Sequence, residues 1–240
     1  MKSSLIICIC ILALSCSTRQ LNGEELLNNA IVYHDPNNQW SQFRGELQIE
    51  LLFPDDSRRY SSVSIDLPKS IFKLEVRKAN NESQYILAGD SCSIKFNGKA
   101  EFTEDEISQN KLTCERAYLM RDYYTYLYGL PMKLKDEGTI IHPEVKQVDF
   151  KGSESLRLEV SYQSEVGTDN WYFYFDPETY AMHAYQFYRE DINKDGEYIL
   201  LEEHVDYNGI IIPKNRAWYY NADNKYIGED RLTSVITLDD

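Results

Sequence analysis

From Phe43 to the end of the chain, short runs with a side-chain period of two follow one another between clusters of turn residues. In the first run Phe43, Leu47, Ile49 and Leu51 alternate with Arg44, Glu46, Gln48 and Glu50, the spacing of a strand buried on one face and wet on the other. Similar runs occupy 59–66, 70–77, 84–88 and 92–96, and again 145–150, 155–162, 171–175, 180–188, 197–206, 210–212, 216–220 and 232–238. Asn97-Gly98, Asp176-Pro177-Glu178-Thr179, Lys194-Asp195-Gly196 and Asn208-Gly209 punctuate them, each suited to a tight turn. Strands at such regular spacing predict an antiparallel β sandwich or barrel. The 19 tyrosines against 9 phenylalanines suit half-buried strand faces whose hydroxyls reach water; the alternative reading is an aromatic platform for a sugar or a lipid.

Two segments break the alternation. Glu24 to His34 has helical apolar spacing with acidic residues in its first turn, and Asp35-Pro36-Asn37-Asn38 ends it. Thr103-Glu104-Asp105-Glu106 has the form of a capping box. It predicts one long helix from there to Tyr128, with an apolar stripe of Leu112, Ala117, Leu119, Met120, Tyr123, Tyr124, Leu127 and Tyr128. Gly129-Leu130-Pro131 stops that helix.

The N-terminus carries Lys2, an 11-residue apolar stretch from Leu5 to Ser15, and then Cys16. That is the three-part pattern of a secretory leader; a spanning helix needs about 20 residues. Ala13-Leu14-Ser15-Cys16 resembles the lipobox of bacterial lipoproteins, departing at Ala13, where that pattern prefers leucine. The resemblance implies a signal peptide over 1–15, lipidation of Cys16, a tether over 16–23 and a single domain over 24–240. Its acyl chains would anchor the protein firmly, since each buried CH₂ adds about 0.8 kcal/mol. No Asp follows Cys16, and no acidic run follows it. The resemblance therefore implies the periplasmic face of the outer membrane.

Without the leader, 24 basic residues face 39 acidic ones, a net charge of −15 against −14 for the whole chain. Such a surface repels nucleic acid and anionic headgroups, so membrane association would rest on the lipid. Five cysteines reduce to Cys92 and Cys114 once the leader and Cys16 are set aside. In an oxidising compartment such a pair usually bonds, closing a loop of about 20 residues worth about 3 kcal/mol; two buried free thiols are the alternative.

Four segments together resemble an uncharacterised family of Gram-negative lipoproteins. They are Tyr33-His34-Asp35-Pro36 with Trp40, Arg121 through Leu134 with its Tyr-Tyr-Thr-Tyr-Leu-Tyr-Gly-Leu-Pro core, Trp171 through Tyr180, and Ile212-Pro213-Lys214 with Trp218-Tyr219. More distantly, the Phe175-Asp176-Pro177-Glu178-Thr179 hairpin resembles one in the Lol lipoprotein carriers and receptors. That likeness implies a mainly β fold, an incomplete antiparallel barrel with the N-terminal helix and the aromatic-rich central helix packed on or inside it. It also implies an apolar cavity, and hence a non-enzymatic binding module for a lipid or other apolar ligand. A surface-contact, glycan-contacting or assembly lipoprotein without an internal ligand is the alternative.

The sharpest local motif is Asp191 to Glu202, which fits a twelve-residue calcium loop with Asp191, Asn193, Asp195, Glu197 and Glu202 as ligands. The competing reading is a plain hairpin around Asn193-Lys194-Asp195-Gly196, flanked by strands, which would leave the protein without a cofactor. Glu202, His204 and Asp206 share one strand face, with metal-ligand spacing or simply facing water. His34 and Asp35 suit a base and its orienter; more plainly, His34 is a cation favoured at a helix C-terminus. Hydrolase, phosphate-loop and zinc-protease motifs are missing, so the chain reads as a non-enzyme.

Overall fold

A computed structural model describes residues 21–189 and 195–238. The segment 1–15 expected to be a signal peptide, and Cys16, lie outside the described residues. Helix α1, Gly23–His34, begins at a capping box in which Asn22 Oδ1 accepts from Glu25 N–H and Glu25 accepts from Asn22 N–H. Strands β1 (Arg44–Leu52), β2 (Arg58–Asp66), β3 (Ile71–Lys78), β4 (Asn81–Ala88) and β5 (Ser91–Phe96) form a meander. Helices α2 (Glu104–Asn110) and α3 (Cys114–Gly129) and a 3-10 helix, Met132–Lys135, follow. The second meander is β6 (Thr139–Phe150), β7 (Ser153–Tyr162), β8 (Asn170–Phe175), β9 (Met182–Tyr188), β10 (Gly196–Tyr207), β11 (Ile210–Tyr220) and β12 (Tyr226–Thr237).

All twelve strands belong to one antiparallel sheet in the order β5-β4-β3-β2-β1-β12-β11-β10-β9-β8-β7-β6. The two meanders meet where β1 pairs β12 and run outward from that seam, leaving β5 and β6 as open edges. The sheet is therefore an incomplete barrel, as the Lol resemblance implies, and not a sandwich.

The segment between β5 and β6 explains the curl. Helix α3 touches β3, β4 and β5, and the 3-10 helix touches β6. Together they span about 32 Å at about 1.5 and 2.0 Å per residue. Laid flat, twelve strands would be about 53 Å wide. The edges must therefore bend toward each other around the helix that joins them.

Helix α1 occupies the same concave face, packed on β6, β7 and β11. Leu26, Leu27 and Ala30 are fully buried there, each leucine worth about 2 kcal/mol. Its first residue must be small, because a Cβ on Gly23 would lie 2.0 Å from the His142 carbonyl oxygen.

Three expectations change. The long helix is two, because Lys111 takes a left-handed conformation (φ 55°) that ends α2, and Thr113 caps a new start by accepting from Arg116 N–H. The runs 210–212 and 216–220 are one strand through Pro213. There β11 pairs only with β10, and β12 joins from Asn215 onward, so no ladder partner misses the proline's absent N–H. Strand β6 likewise begins at Thr139, earlier than the pattern predicts; it passes Pro143 at a register shift on a sheet edge.

Candidate ligand cavity

A cavity of about 1310 Å³, partly open to solvent, lies between α3 and the concave face of the sheet. It exceeds the usual range for small-ligand pockets, about 300–1,000 Å³. Leu51, Ile65 and Phe72 line one wall; Trp171, Phe187 and Trp218 line the other; α3 contributes Tyr123, Tyr126 and Leu127. The aromatic wall is continuous, with Trp171 stacked on Phe187 at 4.8 Å and on Phe173 at 6.0 Å. Two apolar side chains stand exposed on its lining, Leu119 of α3 (57 %) and Val166 of the β7–β8 loop (58 %). Leu119 thus leaves the buried stripe expected of it.

Helix α3 is held over this space at three points. Cys92 of β5 and Cys114 at its first turn are disulfide-bonded, with Cα atoms 6.1 Å apart. In its last turn, the Tyr126 hydroxyl meets that of Tyr162 at 2.6 Å; burial pushes the Tyr162 hydroxyl up to about 12. At the C-terminal end, buried Arg216 donates from Nη2 to the Leu127 carbonyl (3.3 Å) and from Nη1 to the Pro213 carbonyl (2.9 Å). Its guanidinium also lies 4.0 Å from the centre of the Tyr128 ring. A cation is favoured at this end of a helix, where carbonyls lack intrahelical partners.

Strand register places Arg216 beside Asp230 on β12, and Asp230 and Arg59 on either side of Leu51. Burial raises the Asp230 carboxyl above its ordinary value, against the opposing charges of Arg59 and Arg216. Stacked on Trp218 at 6.4 Å, Tyr123 is held well above the usual phenol range, chiefly by burial.

The sequence-derived candidates fall elsewhere. His34 is fully buried: its Nδ1 bonds the Ile211 carbonyl (2.7 Å) and its Nε2 accepts from Met182 N–H (3.0 Å). These partners make it a neutral imidazole, and burial, only partly offset by the Ile211 bond, lowers its pKa to about 4. The reading of His34 as a helix-terminal cation is thereby corrected. Asp35 does not orient it, since its carboxylate accepts from Gln39 N–H (2.6 Å) and Trp40 N–H (2.8 Å).

Of the calcium-loop residues, Asp191 and Asn193 lie outside the described residues. Asp195 offers its backbone carbonyl to Arg189 N–H, and Glu197 faces the Arg189 guanidinium at 3.6 Å. Glu202 sits on β10 and is carried about 20 Å past Gly196 along an extended strand. Glu202, His204 and Asp206 are each exposed, and no group of metal-ligating side chains occurs among the described residues.

Sequence reasoning missed a serine–histidine contact, Ser155 Oγ to His183 Nε2 at 3.0 Å. Ser155 is fully buried away from the cavity and donates to the Ser153 carbonyl. The nearby Asp176 accepts from Glu178 N–H, Thr179 N–H and the Thr179 hydroxyl. The contact therefore serves as internal hydrogen bonding, with no substrate access.

A family model matches residues 2–234. The chain belongs to a family of unknown function, DUF6503. No curated protein matches the sequence. Similar solved structures include a LolA superfamily protein from Nitrosomonas europaea, 10 % identical over 92 % of this chain and 95 % of that one, TM-score 0.48. A domain assigned to outer membrane lipoprotein sorting, from Vibrio parahaemolyticus, is 13 % identical over 90 % and 93 %, TM-score 0.48. A DUF1329 family protein from Desulfovibrio piger is 7 % identical over 91 % and 94 %, TM-score 0.46.

Proposed function

We propose that this DUF6503 protein is a membrane-tethered lipoprotein of the outer membrane, facing the periplasm, whose domain binds a lipid or another apolar ligand without transforming it. The observation that carries the reading is the cavity under α3: large, lined by aromatic and aliphatic side chains, and partly open. Among the described residues no helix is long and apolar enough to cross a membrane; the proposed attachment rests on the lipobox-like Ala13-Leu14-Ser15-Cys16.

The test is native mass spectrometry of the domain from Ser17, purified gently and compared with its denatured mass. A companion of several hundred daltons that leaves on denaturation is expected. A bare mass together with no binding of the apolar dye Nile red refutes the reading. Anchoring is tested separately: labelled palmitate should enter the wild-type protein and not Cys16→Ala.

The alternative, a glycan-contacting or assembly surface, needs free ring faces. The convex face does carry an aromatic cluster, with Phe150 on Tyr174 at 3.7 Å and Tyr198 on Tyr219 at 5.0 Å. Those rings are spent on one another, and Lys151 Nζ covers Tyr198 at 3.9 Å, so the cavity is the better supported site.

A further inference from the structure

The cavity is apolar in most of its lining, yet one part of its wall is polar and incomplete. Arg59 Nε, Trp218 Nε1 and Asp230 Oδ1 all line it and are buried; the Trp218 indole N–H is turned to the Asp230 carboxyl, whereas Arg59 Nε has no hydrogen-bond partner. Asp230 is only 6 % exposed. Buried polar atoms are nearly always paired, and leaving one unpaired costs free energy. An unpartnered guanidinium N–H facing a space that can hold a ligand marks where the ligand's own polar group belongs.

Charge decides what that group is. Among the described residues four cationic and seven acidic side chains line the cavity, so the question is local: which cation lacks a carboxylate. Arg121 pairs with Asp122, Lys133 with Asp136 and Arg189 with Glu197. Arg59 has no carboxylate within ion-pair distance among the described residues. Asp230, which faces it across Leu51, is shared with Arg216, its direct neighbour across β11 and β12. Two guanidinium ions thus share one carboxylate. With the Trp218 indole turned to Asp230, Arg59 Nε is left as a donor without an acceptor.

We infer that the ligand is an amphiphile with an anionic head, a carboxylate or a phosphate, docked on Arg59 beside the Trp218 indole, its chain lying along the apolar walls. This rests on the apolar-ligand reading above and deepens it. Arginine presents a planar fork of donors suited to either oxyanion, and the head would give Arg59 the anionic partner it lacks.

The experiment is calorimetric titration of the soluble domain at pH 8 with dodecanoate, dodecyl phosphate and dodecanol, which share one chain and differ in head. At least one anion should bind tenfold or more tightly than the alcohol, as a charge-assisted hydrogen bond out of bulk water provides; the tighter anion identifies the source. Arg59→Gln should cut that advantage below threefold while leaving dodecanol within twofold of wild type. Arg59→Lys, which keeps the charge, should retain most of it, and Trp218→Phe should lose a part. Equal binding of all three amphiphiles, or an advantage that survives Arg59→Gln, overturns the anionic head and leaves the apolar reading standing. No binding by any of the three overturns both.

Discussion

Acidification should destabilise this fold through His34 before carboxylates dominate its titration. The imidazole is locked by two backbone partners, and its Nε2 must be unprotonated to accept the hydrogen bond from Met182 N–H. Protonating that nitrogen replaces a hydrogen bond with two opposed donors in a buried site. The folded pKa is about 4 against an ordinary 6.5, so as pH falls the unfolded chain takes the proton first. The stabilisation is therefore complete above about pH 6.5 and is lost between there and about 4. A gap of about 2.5 units at 1.36 kcal/mol each is about 3 kcal/mol, a large part of a domain's usual margin of about 5–15 kcal/mol. The assay is urea unfolding from pH 8 to 4.5 for wild type and His34→Gln, whose amide stays neutral throughout. The variant should be about 1–2 kcal/mol less stable at pH 8, from less well made hydrogen bonds. It should approach or overtake wild type near pH 4.5. The difference between the two cancels other titrating groups, including Asp230, whose raised pKa acts with the opposite sign. Parallel pH curves for the two proteins would refute the reasoning.

Arg216→Met should cost about 3–5 kcal/mol in chemical denaturation, because it removes both carbonyl bonds and leaves Asp230 with less opposing charge in a buried site; a loss below 1 kcal/mol would contradict the role given to it. Tyr126→Phe and Tyr162→Phe should each cost about 1 kcal/mol, and the double variant little more than either, since the two hydroxyls are each other's partners; full additivity in a double-mutant cycle would count against the contact. Gly23→Ala should lower stability by about 1–3 kcal/mol, as in other overpacked sites, because the new methyl meets the His142 carbonyl; an unchanged unfolding midpoint would show that α1 sits farther from β6.

The strands were legible because one face of each is buried and the period is two. Their assembly was less so: alternation is the same in a sandwich, a closed barrel and an open one, and only contacts across the connection from β5 to β6 tell them apart. Pro143 and Pro213 read as breaks because ladder neighbours cannot be seen in sequence. The calcium pattern held its letters, but a strand at Gly196–Tyr207 puts Glu202 out of reach of the turn. The polar end of the cavity left a signal that was passed over. Arg216 shares the parity of Ile210, Ile212 and Trp218, Asp230 that of Leu232, and Arg59 that of Val63 and Ile65. A charge on the apolar register of a strand is a stronger pointer to a site than charges that alternate outward.

The seam between β1 and β12 has a consequence for how the chain is made. The first half can build its five-strand meander from neighbouring hairpins as it emerges, but β1 then waits with an open edge until the final strand arrives some 180 residues later. Such an edge is a template for pairing with other chains, and closure over long sequence separations is slow. A truncation that removes β12 would expose two central strand edges at once, one on β1 and one on β11. On the export proposed above, folding should therefore lean on holding factors until the C-terminus is delivered, and C-terminal deletions should aggregate where deletions within 17–20, ahead of the α1 cap, do not.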